Sequence, residues 1–217
     1  MSQGFKKEVI GNAELYLGDC LDILPMLPLA DSMITDPVWP NNALPEFARY
    51  DSAGLIGMAW KAMLTPTRAA FHLGCDSDPA VLSDIDLPFF RVCWLRYARP
   101  HYKGRLLYGA DVAYLYGEPP KHRPGAAVVP GEVIKTESSG RTNTHPCERS
   151  IQHVKFLVEK WSEPDDLIVD PFMGSGTTGD ACMGLGRKFI GIEIDPKYFD
   201  IACERLDQVQ KQGKLFT

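Results

Sequence analysis

The sequence predicts an α/β fold built on a mainly parallel sheet that is covered on both faces. Short apolar runs of strand length, such as LIV at 167–169 and FIGIEI at 189–194, alternate with helix-length segments. A glycine-containing turn joins one of these runs to a following helix. Acidic residues, namely Asp19, Asp36, Asp170 and Glu193, stand where the runs end. In such sheets ligands collect at the carboxyl ends of the strands, so the four acids point to one shared cleft.

Taken in order, AELYL at 13–17 reads as a short strand that stops at Gly18-Asp19. CLDILPML at 20–27 suits a short helix broken near Pro25 and Pro28. SMIT at 32–35 is a strand, 53–64 an apolar helix and TRAAFHL at 67–73 a further strand. A helix near 78–84 and a strand near 89–96 follow. From 97 to about 147 Pro, Gly, Ser, Thr and basic residues dominate, interrupted by an alternating strand at 111–117. This region reads as an insert. Order returns with an amphipathic helix at 150–161, the strand at 167–169 and a helix at 176–185 ended by Gly186. The strand at 189–194 and a closing helix at 196–211 complete the chain.

The 217 residues are 45% hydrophobic and 24% charged, which fits one globular domain over 1–217 with a sizeable core. No apolar run has the length to span a bilayer and the N-terminus lacks a signal-peptide block, so a cytoplasmic protein is expected. The six cysteines form no CxxC pair, and with the five histidines they offer no zinc-like spacing. No metal is expected. A net charge of −5 argues against a protein that coats nucleic acid through global charge. The charge is unevenly placed, however. Between Arg91 and Arg123 seven basic residues face two acidic ones, with Tyr97, Tyr102, Tyr108, Tyr114 and Tyr116 among them. Cations interleaved with aromatics suit phosphates and unstacked bases.

Two neighbouring motifs carry the chemistry. In LIVDPFMGSGTTG, 167–179, a buried strand runs into Asp170 and then into a loop whose Gly174 and Gly176 permit close backbone approach. The helix that opens there offers N–H groups to an anion. No nucleoside-triphosphate P-loop pattern is present. A carboxylate beside anion-binding amides suits a zwitterion such as an amino acid. In FIGIEID, Glu193 stands about twenty residues further on, where an acid in this architecture takes the hydroxyls of a ribose. A nucleoside joined to a zwitterion describes S-adenosyl-L-methionine.

With these motifs in place, the chain resembles the amino-methyltransferases that act on adenine N6 or cytosine N4 of DNA, in the permuted order with the catalytic motif first. DPFMGSGTT looks like their cofactor-binding motif and GIEID like their ribose-binding strand end. LYLGDCLDILPMLP resembles their N-terminal cofactor segment, and TDPVWP falls where they carry a catalytic Asp-Pro-Pro-Tyr or Asp-Pro-Pro-Trp. The similar segments, about 13–40 and 145–206, make up roughly half of the chain. The resemblance implies a Rossmann-like methyltransferase fold with a small target-recognition insert at 97–145. It implies cofactor contacts from Asp19, Cys20, His145, Arg149, Asp170, Phe172, Gly174, Ser175, Gly176, Thr177 and Glu193, and catalysis by Asp36, Pro37 and Trp39. Two departures from the family matter. Val38 replaces the second proline, removing a φ restraint rather than a functional group, and the segment that is usually His-Pro-Thr-Gln-Lys-Pro reads His145-Pro-Cys-Glu-Arg149-Ser, which keeps His145 and Pro146 and puts Arg149 in place of the lysine.

An exocyclic amine is a poor nucleophile because its lone pair is delocalised into the ring. Acceptors at Asp36 and the Pro37 carbonyl would free that lone pair, and Trp39 would stack on a base flipped from duplex DNA. Aspartate in first position resembles the adenine-N6 subgroup. The expected activity is therefore methyl transfer from S-adenosyl-L-methionine to adenine N6 in double-stranded DNA, in a prokaryotic or phage-encoded protein. Cytosine N4 in DNA, adenine N6 in RNA, and a non-catalytic binding homologue stay open as alternatives, as does restriction-modification or solitary modification. Arg99, Lys103, Arg105, Lys121 and Arg123 are the expected phosphate contacts. The insert is short, so a homodimer or a short target site would fit.

Overall fold

The computed structural model describes residues 5–38, 52–121, 130–134 and 150–214. Its nine-stranded sheet comprises β1 Lys6–Ile10, β2 Ala13–Leu17, β3 Ser32–Thr35, β4 Arg68–Gly74, β5 Phe89–Lys103, β6 Leu106–Gly117, β7 Glu132–Ile134, β8 Leu167–Asp170 and β9 Lys188–Glu193. The helices are α1 Cys20–Ile23, α2 Ser52–Ala62, α3 Ile151–Trp161, α4 Thr177–Gly184 and α5 Pro196–Lys214. The spatial order is β1-β2-β9-β8-β3-β4-β6-β5-β7, and β2, β9, β8, β3 and β4 run parallel.

Burial on both faces explains why these strands are continuous apolar runs rather than alternating ones. Ile34, Ala70, Ile168 and Phe189 face one core with Trp161, Ala181, Phe199 and Leu206 of α3, α4 and α5. Their neighbours Met33, Ala69, Phe71, Val169 and Ile190 face the other, against Cys20, Ile23, Ile56 and Trp60 of α1 and α2. The helix after β8 and the helix after β3 therefore cover opposite faces. That change of side, between adjacent parallel strands β8 and β3, is a topological switch point, where such sheets open a crevice.

Four elements differ from the sequence expectation, among them the short strand β7, which was not expected and pairs parallel with β5. β1 was not expected; it pairs antiparallel with β2 along the sheet edge, and its residues are mostly exposed. The segment near 78–84 is a short 3₁₀ turn, Pro79–Leu82, capped by Asp78. It stops short because Asp84 and Asp86 turn back onto α2, to Lys61 Nζ at 2.7 Å and Trp60 Nε1 at 2.8 Å. Most consequentially, the strand near 89–96 continues to Lys103 and returns as β6. Residue 97 is thus inside a strand. Pairing of β6 with β4 ends at Gly74 and Asp111, and β7 last pairs with β5 at Arg96, so among the described residues Leu106–Gly109 and the facing part of β5 form a two-stranded tongue beyond the sheet. Pro100 is accommodated where the register shifts between Arg96 and His101, an irregularity of the kind that admits proline in a strand.

The core leaves little slack where β9 passes beneath the glycine loop. A Cβ at Gly191 would run into Met173 Sδ and stand 2.6 Å from Phe189 Cε1. Gly191→Ala is expected to cost about 1–3 kcal/mol. Urea denaturation checks this through a lowered midpoint at unchanged slope.

Candidate functional site

Four acids end adjacent parallel strands, in the order Asp19 after β2, Glu193 on β9, Asp170 on β8 and Asp36 after β3. Asp170 is 1% exposed. Its Oδ1 accepts from the Thr35 hydroxyl at 2.6 Å and from the Phe172 N–H at 3.0 Å, and Thr178 adds a further hydroxyl. Burial nevertheless pushes its carboxyl up to about 6, and the neighbouring charge of Asp36 pushes the same way. Thr35 is the last residue of β3, so this hydrogen bond ties the strand carrying Asp36 to the strand carrying Asp170.

The loop after Asp170 folds onto β9. Met173 N–H donates to the Ile192 carbonyl at 3.0 Å, and Gly174 N–H donates to Glu193 Oε2 at 3.0 Å. Gly176 has φ 80°, and a Cβ there would lie 2.9 Å from Ala202 Cβ, so both conformation and space require glycine. α4 then starts at Thr177. The N–H groups of Thr177, Thr178 and Gly179 precede its first helical hydrogen bond, from Asp180 to Gly176. From behind, Arg205 on α5 donates to Thr177 Oγ1 at 2.6 Å and to buried Ser175 Oγ at 3.4 Å.

Glu193 closes the other side. Its Oε1 accepts from Asp195 N–H at 2.8 Å, and its backbone carbonyl accepts from Gly18 N–H at 2.9 Å, which brings the end of β2 alongside. Burial outweighs these donors and pushes its carboxyl up to about 7. An ionised carboxylate has about four lone-pair sites, so Glu193 retains capacity for added hydroxyl donors. Asp19 is exposed and caps α1 by accepting from Leu21 N–H at 2.9 Å. The Cys20 side chain turns into the core, where burial pushes its thiol up to about 12. Phe172 is half-buried against the α1–α2 core.

Asp36 is half-buried and Pro37 buried at the carboxyl end of β3. Trp39, His145, Arg149 and Arg123 lie outside the described residues. Arg99 and Arg105 are exposed on the tongue, at the same sheet edge as Asp36, and the Lys103 backbone accompanies them. Lys121 is elsewhere. It follows β6 past the amino end of β4, where its N–H donates to Glu163 Oε1. The seven residues of β4 separate it from the carboxyl edge by about 20 Å. The sequence grouped Lys121 with the others because it could not show that β6 crosses the whole sheet between them. Thr35, Thr178 and Arg205 were missed. A polar residue ending a buried strand, directly before Asp36, was the signal available for Thr35.

The donor set fits a ligand with a cationic group and vicinal hydroxyls. Buried Asp170 and half-buried Glu193 can accept positive charge or hydroxyl donors, and a helix N-terminus stands next to them. Among the described residues no group of three His, Cys, Asp or Glu is placed to hold a metal. No described helix is long and apolar enough to cross a membrane.

Without ligand, Asp170 and Glu193 hold their protons to higher pH when folded than their ordinary values of 3.8 and 4.5. The folded chain therefore binds more protons between about pH 4 and 7, and stability falls as pH rises across that window. The urea midpoint of the ligand-free protein is expected to drop from pH 5 to pH 8. Glu193→Gln should flatten that slope; an identical slope in the variant would contradict the assignment.

The chain is 38% identical over 79 residues to the type II methyltransferase M.HinfI of Haemophilus influenzae, covering 36% of this chain and 21% of that one. It is 43% identical over 63 residues to the DNA adenine methyltransferase YhdJ of Escherichia coli, covering 29% and 21%. The chain thus spans about a fifth of the length of each of these relatives. The structure of M1.HpyAVI in complex with SAM superposes with a TM-score of 0.68 at 22% identity, over 90% of this chain and 99% of that one, which shows a shared fold. The N6_N4_Mtase model, described as DNA methylase, matches residues 90–204, more than half of the sequence, and the chain belongs to that family.

Proposed function

We propose that the protein transfers a methyl group from S-adenosyl-L-methionine to the exocyclic N6 amine of adenine in duplex DNA. The observation that carries this is the hydrogen bond between Thr35 and Asp170, which sets Asp36 beside the glycine loop. In this reading Glu193 takes the ribose hydroxyls. Asp170 faces the positive end of the cofactor, and the start of α4 receives its carboxylate. Bound there, S-adenosyl-L-methionine supplies a methyl group activated by a sulfonium.

The chain then has to prepare the amine. The Asp36 carboxylate and the Pro37 carbonyl accept the two N–H bonds and free the nitrogen lone pair. Their hold strengthens as positive charge grows on nitrogen, so they lower the barrier specifically. Trp39 stacks on the base, worth about 1–3 kcal/mol, and offsets part of the cost of flipping it. Valine at 38 leaves both acceptors in place. Region 97–145 is the part that meets the target, with Arg99, Lys103 and Arg105 on phosphates.

Incubation with methyl-labelled cofactor and DNA or RNA, followed by digestion to nucleosides, tests the assignment. Labelled N6-methyladenine from DNA is expected. Labelled N4-methylcytosine, product from RNA alone, or cofactor binding without transfer would each overturn it. Asp36→Ala is expected to lower transfer by at least about a hundredfold while leaving cofactor affinity within about threefold. Equilibrium binding beside single-turnover rates separates the two effects.

A further inference from the structure

The tongue formed by β5 and β6 carries an exposed apolar tip that the methyl-transfer site does not use. Leu106 lies beyond the last β4–β6 pair, Gly74 and Asp111, by the length of Leu106–Ala110, roughly 15 Å of strand. Strand order places the base of the tongue two strands from β3, about 10 Å to the side of Asp36. Lys103 pairs with Leu106, Tyr102 with Leu107 and His101 with Tyr108. Tyr102 and Leu107 therefore share one face and His101 and Tyr108 the other.

The two faces differ. His101 and Tyr108 stack with centroids 5.3 Å apart, and the Tyr108 hydroxyl donates to Asp76 Oδ2 at 2.9 Å. Lower down, on the face that Asp111 shares with Leu107, Tyr97 donates to Asp111, which also bonds His72 Nε2 on β4 at 3.1 Å. These contacts brace the tongue against β4 and the turn after it. Further out on the Leu107 face Tyr102 is 73% exposed and Leu107 57%, and Leu106 at the tip is 63% exposed. A two-stranded ribbon in water gains little stability from such residues. Exposed Arg99 and Arg105 flank them, in the basic stretch of an otherwise acidic chain.

We propose that the tip is a wedge for duplex DNA, with Tyr102 and Leu107 entering the base stack beside the target nucleotide and holding open the space it leaves. The charge around the tip selects the occupant: cations place the phosphate backbone along the tongue, while the apolar pair has no phosphate role. Apolar side chains inserted at base steps unstack and open a duplex, and the braced tongue supplies the rigidity that insertion needs. The reach and offset put that insertion next to a base turned toward Asp36. The proposal rests on duplex DNA being the methyl acceptor.

The test uses two duplexes carrying the site found by sequencing modified bases, one fully paired and one with an abasic position opposite the target base. Single-turnover transfer is compared for the wild type, the double variant Tyr102→Ser with Leu107→Ser, and Arg105→Gln. The double variant is expected to lose about tenfold or more on the paired duplex and to stay within about threefold of the wild type on the abasic one, where opening costs less. Its urea midpoint should match the wild type, because both side chains are exposed. Arg105→Gln should weaken binding of both duplexes alike and flatten the salt dependence. Equal losses of the double variant on both duplexes, or no loss on either, would overturn the wedge. So would a fall in sedimenting mass of the double variant, which would mark the tip as a contact between copies of the chain. A wild type that binds cofactor but methylates neither duplex would overturn the transferase reading itself.

Discussion

A buried hydrogen bond between two neighbouring strands organises this structure. Thr35 on β3 and Asp170 on β8 are 135 residues apart in the chain, and both are almost fully excluded from solvent. Their strands are adjacent where the connections switch from one face of the sheet to the other. A hydrogen bond to a charged partner is worth about 1.5–3 kcal/mol, more than a typical neutral one. Here it also sets a distance. The loop that follows Asp170 and the residues that follow Thr35 emerge side by side, so a ligand held by one is presented to the other.

The same burial gives the site its electrostatic character. Asp170 and Glu193 are surrounded by donors, yet both carboxyls are pushed upward because the donors do not fully replace lost water. The fold therefore holds two acids that ionise at higher pH than free carboxyls do. In the proposed role, a cation or a pair of hydroxyls would complete their solvation and reverse the shift. Arg205 is bonded to Ser175 and Thr177 and so stiffens the loop. Stability is spent here in favour of ligand recognition, a balance common at binding sites.

Much of this was legible in the sequence because buried parallel strands write themselves as short apolar runs ending in polar residues. SMIT, LIVD and KFIGIE show that pattern, and each is a strand. The acids at their ends follow at once. β1 was not legible, since KKEVI on a sheet edge buries almost nothing and has only its pairing with β2 to define it. The tongue was hidden for a related reason. YARPHYK contains proline and no apolar alternation, and it is a strand only because β6 lies opposite. Thr35 illustrates a third limit. Its type and position are unremarkable until a partner far along the chain is known, and the same holds for Arg205.

The central claim is that Asp170 and Glu193, poised by burial at adjacent strand ends, receive S-adenosyl-L-methionine in ionised form. Calorimetric titration of the cofactor in buffers of different ionisation enthalpy measures the protons exchanged on binding. The account predicts proton release that is largest below about pH 6, declines as the two acids ionise on their own between about pH 6 and 7, and fades above pH 8, with affinity rising most steeply where release is largest. Binding with no net proton exchange across that range would contradict it.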